Sequence, residues 1–363
     1  MGGGDPGTAR VKVLLAPFET AGVAGALKHG LRARGHGADL WVLDEHAFVA
    51  THDRVIRGYR RRARAALAAP LRYDVLHFQF GTTLAEFLDA AWSRVAGRPL
   101  VLMHYWGDDC RIRMDGGPVP PGADAVWMDR QRARERVIRR RLRLASRLCA
   151  AALVSDLELA QHVQPFFRTV YVVPTPLVLP IGVPPGVAPA GAGPLVFHAP
   201  SYRLVKGTAT ITAAMEAVAA RVPLRSRTVS GVAREVVLEE MARADIVIDQ
   251  LNSLTSGVFA LEAMALGKPV LVQFERELLA PFARDTPLVP VTAETLAEEL
   301  EALARDPERR ARLGQAGRAF VARTHDAAVV AERLEVVYEH ARDRPRGLFE
   351  ATATGIRPLP SPA

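Results

Sequence analysis

Residues 244–272 read ADIVIDQLNSLTSGVFALEAMALGKPVLV, and this stretch decides the fold that we expect. The apolar run at 244–249 is typical of a buried strand, and 258–266 has the pattern of a short helix. A small polar loop separates them, and a second apolar strand at 269–272 follows Gly267. A strand, a helix and another strand in this order predict a parallel β-α-β unit.

The same alternation continues along most of the chain. The predicted strands lie at 11–16, 38–43, 73–78, 99–103, 151–155, 170–173 and 195–199. The predicted helices lie at 23–31, 84–95, 129–148, 208–222, 292–303 and 327–341. Strands that alternate with helices predict an α/β fold whose parallel sheets carry helices on both faces.

The chain has 363 residues, which exceeds the usual domain size of about 150, so we expect two domains. Residues 181–194 are rich in proline and glycine, which indicates a linker. We predict a Rossmann-like N-terminal domain at 10–180, a second Rossmann-like domain at 195–341, and a tail at 342–363 that is loose at its end. Such sheets bind ligands beyond the carboxyl ends of their strands, here in a crevice that we expect between the domains.

The chain carries 47 Lys and Arg against 39 Asp and Glu, a net charge of +8. This excess favours an anionic partner such as nucleic acid, a phosphorylated substrate or an acidic membrane surface. Arginines are dense at 54–64 and 129–148, where a solvated helical face is the common outcome. An anionic acceptor or peripheral membrane contact is the alternative. In the helix at 129–148, Val137, Leu144 and Leu148 share one face and the arginines mark another.

The sequence also bears on the compartment. It contains no apolar run of about 18 residues, so we expect no transmembrane helix. Residues 1–9 lack the cationic start and apolar run of a secretory signal. Cys110 and Cys149 are too few for a disulfide framework or a cysteine metal site. We therefore predict a cytoplasmic protein, and its oligomeric state stays open.

The segment HAPSYRLVKGT at 198–208 lies where a predicted strand ends and a helix begins. The N-terminus of a helix offers unpaired N–H groups and the positive end of its dipole. Arg203 adds a bidentate guanidinium and Lys206 a point charge, a combination that suits a diphosphate. Two solvated surface cations are the alternative, and the residues alone leave it open.

The loop at 253–257 opens the next helix with small side chains. Ser256, Gly257 and Val258 let backbone N–H groups approach a phosphate or a sugar. Glu262 follows among apolar neighbours, and a carboxylate beside bound phosphate commonly accepts hydrogen bonds from a ribose diol. An exposed helical glutamate is the alternative.

These two segments resemble the donor-binding domain of glycosyltransferase family 4, retaining enzymes with the GT-B fold. The order of further features is similar over about residues 10–340. These features are a glycine-bearing turn at Gly22, the Arg34-Gly-His36 pattern, DVLHFQFG at 74–81 and HYWGDDCR at 104–111. The resemblance implies two Rossmann-like domains that face each other across a crevice.

The resemblance also implies the roles of several residues. Arg203 and Lys206 would hold the diphosphate of a nucleotide diphosphate sugar and stabilise the leaving nucleotide. The loop at 256–258, together with Gly22, would contact the donor, and Glu262 would bind the ribose. The acceptor, a hydroxyl-bearing small molecule or saccharide, would bind in the N-terminal domain. The family needs no metal and no separate cofactor.

The sequence departs from the family pattern at two places. Leu254 stands where the pattern has the first of two glutamates, and Trp106 stands where a histidine precedes the glycine. Trp106 can pack on a sugar but cannot accept a proton. His104 is a candidate catalytic group that compensates for this, with a half-buried strand-end histidine as the alternative. Asp109 matches the motif's aspartate and would orient the loop.

His77 lies in DVLHFQFG, where we expect the carboxyl end of a strand that faces the crevice. His77, Trp106 and Asp109 are therefore the acceptor-side candidates, although a structural role for His77 stays open. The function that we expect is transfer of a sugar, with retention, to a hydroxyl acceptor.

Three other functions compete with this one. A noncatalytic relative of the same fold is favoured by Leu254 and Trp106. A nucleic-acid binder is favoured by the net charge, but no recognised binding module is present, so we expect no nucleic-acid partner. A nicotinamide dehydrogenase needs G-x-G-x-x-G after the first strand, and residues 17–25 read PFETAGVAG.

Overall fold

The chain forms two α/β units. The computed structural model describes residues 10–45, 51–114, 119, 122–183 and 193–360. The first unit comprises residues 1–114, 129–178 and 326–363, and the second comprises residues 115–128 and 179–325. Residues 326–360 thus belong to the first unit although they follow the second unit in the chain.

The strands are numbered along the chain. They are β1 (Lys12–Ala16), β2 (Gly37–Val42), β3 (Arg54–Val55), β4 (Val75–Gln79), β5 (Leu100–His104), β6 (Ala151–Val154), β7 (Thr169–Val172), β8 (Leu195–His198), β9 (Arg225–Thr228), β10 (Ile246–Ile248), β11 (Val270–Val272), β12 (Val289–Pro290), β13 (Gly347–Ala351) and β14 (Ile356–Leu359).

The helices are numbered in the same way. They are α1 (Val23–Ala33), α2 (Tyr59–Arg72), α3 (Leu88–Ala96), α4 (Ala125–Leu148), α5 (Leu157–Val163), α6 (Arg203–Lys206), α7 (Thr208–Ala219), α8 (Arg234–Arg243), α9 (Val258–Ala265), α10 (Leu296–Arg305), α11 (Pro307–Thr324) and α12 (Ala327–His340). Among the described helices, none combines the length and apolar character that crossing a membrane requires.

The first unit is built on a nine-stranded sheet in the order β14-β13-β7-β6-β5-β4-β1-β2-β3. All neighbours are parallel except β13 and β14. Leu15 and Leu102 of the sheet pack with Leu27 of α1 and Val330 of α12 in one core. Parallel strands covered by helices confirm the predicted α/β class.

The second unit has a five-stranded parallel sheet in the order β12-β11-β10-β8-β9. Its core joins Ile248 and Leu271 of the sheet to Ile211 of α7 and Leu300 of α10. The stretch at 244–272 forms β10, α9 and β11, as the sequence pattern predicts.

The prediction that a tail begins at residue 342 is wrong. The sequence predicts a tail from residue 342 that adds nothing to either domain's sheet, yet β13 pairs with β7 and buries Leu348 and Ala351. The edge of β7 offers a row of backbone hydrogen-bonding groups, and β13 satisfies them. The helix assigned to the second domain, α12, packs on α1 so closely that a Cβ on Gly30 would lie 1.9 Å from the carbonyl oxygen of Ala327. Most of the predicted linker, 184–192, lies outside the described residues.

The apolar face predicted within α4 is not the buried one. Val137 is 50% exposed, and Glu135, Ile138, Leu142 and Ala145 are buried instead. The Glu135 carboxylate accepts a hydrogen bond of 2.9 Å from the backbone N–H of Arg113. A hydrophobic pattern assigns every glutamate to the solvent-facing side of a helix, so it could not predict that Glu135 is buried.

Candidate functional site

The predicted donor-binding residues of the second unit meet at one edge of its sheet. β8 leads into α6, which carries Arg203 and Lys206, and the neighbouring strand β10 leads into the loop before α9. The two segments are tied together, because the side-chain amide of Asn252 donates to the carbonyl of Leu204 at 3.0 Å. The carboxyl ends of parallel strands are the usual place for a ligand.

Lys206 is held in place before any ligand binds. Its Nζ donates to Oδ1 of Asp249 and to Oε1 of Gln250, both at 2.7 Å. The Asp249 side chain is 1% exposed and that of Lys206 is 16% exposed. The other carboxylate oxygen of Asp249 is buried without a hydrogen-bond donor in the described part of the chain. Arg203, at the first position of α6, is exposed.

The N-terminus of α9 is open. Gly257 precedes the helix with an extended backbone, φ −107° and ψ −174°, and no side chain caps it. A Cβ built on Gly257 would meet no described atom within 4 Å. The backbone N–H groups at 258–259 have no acceptor within the helix, so they are available to an anion.

Glu262 is buried rather than exposed, so the surface alternative does not apply. Its side chain is 6% exposed and forms an ion pair with Arg234 of α8, whose Nε lies 2.9 Å from Oε1. Burial raises the pKa of Glu262, and the Arg234 guanidinium opposes that shift. No sequence signal marks Arg234, because it lies on a different helix and 28 positions away.

His198 is a further residue of this edge that sequence reasoning missed. Its ring is fully buried, with Nδ1 3.0 Å from the Ile248 carbonyl oxygen and Nε2 3.1 Å from Thr208 Oγ1. Burial lowers its pKa. His198 therefore ties β8 to β10 and to the first residue of α7.

Gly22 belongs to the first unit, where it precedes α1 with φ +81°. Glu19 already supplies a negative charge at this helix N-terminus. Its carboxylate accepts from the backbone N–H groups of Ala24 and Gly25, at 3.3 and 2.6 Å, and from Thr51 Oγ1 at 2.7 Å. An anion bound here would compete with a carboxylate of the chain itself.

His77 and His104 form a buried pair in the first unit. Both side chains are fully buried, and His77 Nε2 lies 3.1 Å from His104 Nδ1. His77 Nδ1 lies 2.8 Å from the hydroxyl of Tyr338 on α12. The His77 prediction was wrong in its placement, because the residue is in the middle of β4 beneath a helix. His104 ends β5, as the strand-end alternative has it, but it is fully buried instead of half-buried.

Burial sets the charge of this pair. It lowers the pKa of His77 to about 3, and burial with the neighbouring His77 lowers the pKa of His104 well below its usual value. Both rings are therefore neutral near pH 7. The His104 ring stacks on Trp106 with a centroid distance of 3.7 Å, and Trp106 Nε1 donates to Gln79 Oε1 at 2.7 Å.

Asp109 organises the loop after β5. Its carboxylate accepts from the backbone N–H groups of Trp106 and Gly107, at 3.0 and 2.8 Å. Burial raises the pKa of Asp109 to about 6, although the backbone donors oppose the shift. This geometry fits the predicted orienting role.

A cavity of about 530 Å³ opens at the carboxyl edge of the first sheet. Of the acceptor-side candidates, only Asp109 lines it. The described lining residues are Phe18, Glu19, Thr20, Asp44, Glu45, Phe80, Asp108, Asp109, Arg134, Val137, Ile138 and Arg141. Several of them directly follow β1, β2, β4 or β5. Their position after predicted strands is the feature of the sequence from which this cavity could have been predicted.

Comparisons with known proteins agree on this architecture. Residues 212–335 match a family described as glycosyl transferase-like. A sucrose-phosphate synthase from Thermosynechococcus elongatus matches at 14% identity and a TM-score of 0.61, over 92% of this chain and 100% of the other. A HepE protein from Anabaena, in complex with UDP-glucose, matches at 14% identity and a TM-score of 0.61, over 91% and 100%. The glycosyltransferase WaaG, involved in lipopolysaccharide biosynthesis, matches at 14% identity and a TM-score of 0.54, over 90% and 99%.

No curated protein sequence matches the chain. At 14% identity the structural similarities show the fold, and they confirm the predicted GT-B fold class. The family match, which runs from α7 in the second unit into α12 in the first, is to glycosyl transferase-like proteins, and the GT-B fold agrees with it.

Proposed function

We propose that the chain transfers a sugar from a nucleotide diphosphate sugar to a hydroxyl acceptor, with retention of configuration. The observation that carries this proposal is the meeting of three features at one edge of the second sheet. They are the cations Arg203 and Lys206, the uncapped N-terminus of α9, and the buried carboxylate of Glu262.

The diphosphate would bind between α6 and α9. The exposed Arg203 supplies a bidentate guanidinium, and Lys206 supplies an ammonium whose position Asp249 and Gln250 already hold. The open backbone N–H groups at 258–259 add uncharged donors. Groups that are oriented in advance stabilise the negative charge that grows on a leaving nucleotide, because they need no reorganisation.

The ribose would bind at Glu262. Arg234 engages Oε1, so the pair orients the carboxylate and leaves Oε2 to accept hydrogen bonds from ribose hydroxyls. The pairing with Arg234 also offsets the cost of burying this charge.

The acceptor would bind in the cavity of the first unit. His104 is buried and neutral, so we assign it the positioning of Trp106 rather than proton transfer. Leu254 brings no hydrogen-bonding group to the sugar. The incoming hydroxyl would be assisted by the departing phosphate on the same face, as the family resemblance implies, without a metal.

A binding experiment with nucleoside diphosphates tests the donor site. UDP is the first probe, because the HepE structure contains UDP-glucose; GDP, ADP and dTDP follow. A ligand at 100 times its Kd adds about 2.7 kcal/mol, which corresponds to a rise of several degrees in Tm. The shift should disappear in Lys206→Met and persist in Lys12→Met, an exposed lysine of β1. Folded protein that responds to none of the four nucleotides would contradict the donor site.

A noncatalytic relative is the second candidate, and Leu254 is the observation that favours it. The two candidates differ in turnover. The noncatalytic function would be supported by protein that binds a nucleoside diphosphate but does not cleave any nucleotide sugar. The cleavage assay follows release of the nucleoside diphosphate in the presence of a broad panel of hydroxyl acceptors.

A further inference from the structure

A second cavity, of about 180 Å³, lies in the first unit. Four arginines line it: Arg94, Arg98, Arg342 and Arg344. We call it the arginine pocket. It lies where α3 leads into β5, α4 into β6, and α12 towards β13. That is the amino edge of the parallel strands, opposite the carboxyl edge with the 530 Å³ cavity, so it is a separate site.

The charges of the arginine pocket are unbalanced. Among its described lining residues none carries a carboxylate, and no described ion pair joins the four arginines to an acid. Arg94 Nη1 donates to the backbone carbonyl of Arg147 at 2.5 Å, which orients the guanidinium without neutralising it. Like charges that share so small a space repel one another, so an anion from outside the chain would be stabilised there. Guanidinium forks match the oxygens of a phosphate group.

An apolar surface adjoins this pocket. On α3, Leu88 is 70% exposed and Val95 is 78% exposed, and they lie seven positions apart on one face. Val95 lies between Arg94 and Gly97, and both of these residues line the pocket. Exposed apolar side chains that cluster next to a charged site mark an interaction surface.

The neighbouring helix α2 extends the same surface. Trp92 of α3 donates from Nε1 to the Leu67 carbonyl at 3.3 Å, so the two helices are in contact. Leu67 is 59% exposed and Leu71 is 57% exposed. Helix α2 reads YRRRARAALAAPLR and contains no acidic residue. The exposed Arg60 and Arg64 continue the line of Leu67 and Leu71 at helical spacing.

We propose that this side of the first unit docks on an anionic lipid surface. The arginine pocket takes the phosphate of a lipid headgroup, and Leu67, Leu71, Leu88 and Val95 reach the boundary of the acyl chains. Arginines beside exposed leucine and valine are the combination that favours binding at a membrane interface. A second copy of the chain fits less well, because a two-fold contact would place arginines against arginines.

Vesicle sedimentation tests this docking. Wild-type protein should sediment with phosphatidylglycerol-containing vesicles and not with pure phosphatidylcholine vesicles. The double variant Arg98→Gln/Arg342→Gln should bind roughly 30-fold more weakly, since each basic residue near the surface contributes about 1 kcal/mol. The matched control, Arg284→Gln/Arg312→Gln, removes the same charge from exposed positions of the second unit and should bind as the wild type does.

A second pair of variants tests the apolar contribution. Val95→Ser should weaken sedimentation, whereas Val236→Ser, a 41% exposed valine of α8, should not. Circular dichroism of every variant checks that it is folded. Equal binding by the two double variants would overturn the proposal, because net charge alone would then explain the attraction. Saturable binding of inorganic phosphate without vesicle binding would also overturn it, in favour of a site for a free anion.

Discussion

Replacing Lys206 by methionine tests how the donor edge is built. Methionine keeps the length of the side chain but removes both hydrogen bonds of Nζ and the ion pair with Asp249. The Asp249 side chain is 1% exposed, so its carboxylate would remain buried. Oδ1 would lose the ammonium of Lys206, and Oδ2 already lacks a described donor. A buried charge that loses its only partner is destabilising by about 3–5 kcal/mol.

The partner substitution has a smaller expected cost. Asp249→Asn leaves Lys206 with Gln250 and with 16% of its side chain in water, so we expect a loss of about 1–3 kcal/mol. The double variant Lys206→Met/Asp249→Asn should be more stable than Lys206→Met alone, because the buried charge is gone. This recovery distinguishes a coupled pair from two independent residues.

Urea unfolding, followed by circular dichroism, measures these free energies. Lys12→Met is the matched control, since Lys12 is exposed and should change the free energy of unfolding by no more than about 0.5 kcal/mol. The same samples are then titrated with UDP. A Lys206→Met protein as stable as Lys12→Met would refute the reasoning, as would a double variant less stable than either single one.

Four more predictions concern other parts of the molecule. Glu262→Gln should weaken UDP binding about 10- to 100-fold in calorimetry, because a charge-assisted hydrogen bond is lost, and the exposed Glu239→Gln should not. Gly257→Ala should keep its Tm, since a Cβ there meets no described atom within 4 Å, but should reduce the UDP shift because the methyl group takes up space before α9; an unchanged shift would argue against a phosphate at α9. Asp109 has a folded pKa of about 6 against an ordinary value of 3.8, so its ionisation lowers stability as pH rises between those values; Asp109→Asn should flatten that part of the pH–stability curve. Gly30→Ala should destabilise the protein by about 1–3 kcal/mol through overpacking against α12, and an unchanged urea midpoint would contradict that contact.

The strands and the loops after them could be predicted from the sequence. β8, β10 and β11 are short apolar runs, and strands of a parallel sheet are buried on both faces, so each run has a local and readable signature. Polar and glycine residues after such runs fall at the carboxyl edge whatever the details of packing. Arg203 and Gly257 were found by this rule, and the structure places them at that edge.

The contacts of individual side chains could not be predicted in the same way. Every residue of β4 is buried, so its sequence contains no alternation to show that His77 faces α12 instead of a ligand. The partner of Glu262 lies on another helix, and a pairing between distant positions leaves no local pattern. The same holds for β13, whose proline-rich surroundings resemble a tail until β7 offers it an edge.

The sequence by itself determined the α/β class, the order of the elements and the loops that bear the donor-site candidates, because these follow from composition and periodicity over a few residues. The tertiary structure alone decided that Lys206 is paired, that Glu262 is buried against Arg234, and that His77 and His104 are neutral. Charge state and accessibility depend on which side chains surround a group in space, and those neighbours are set by packing between distant parts of the chain.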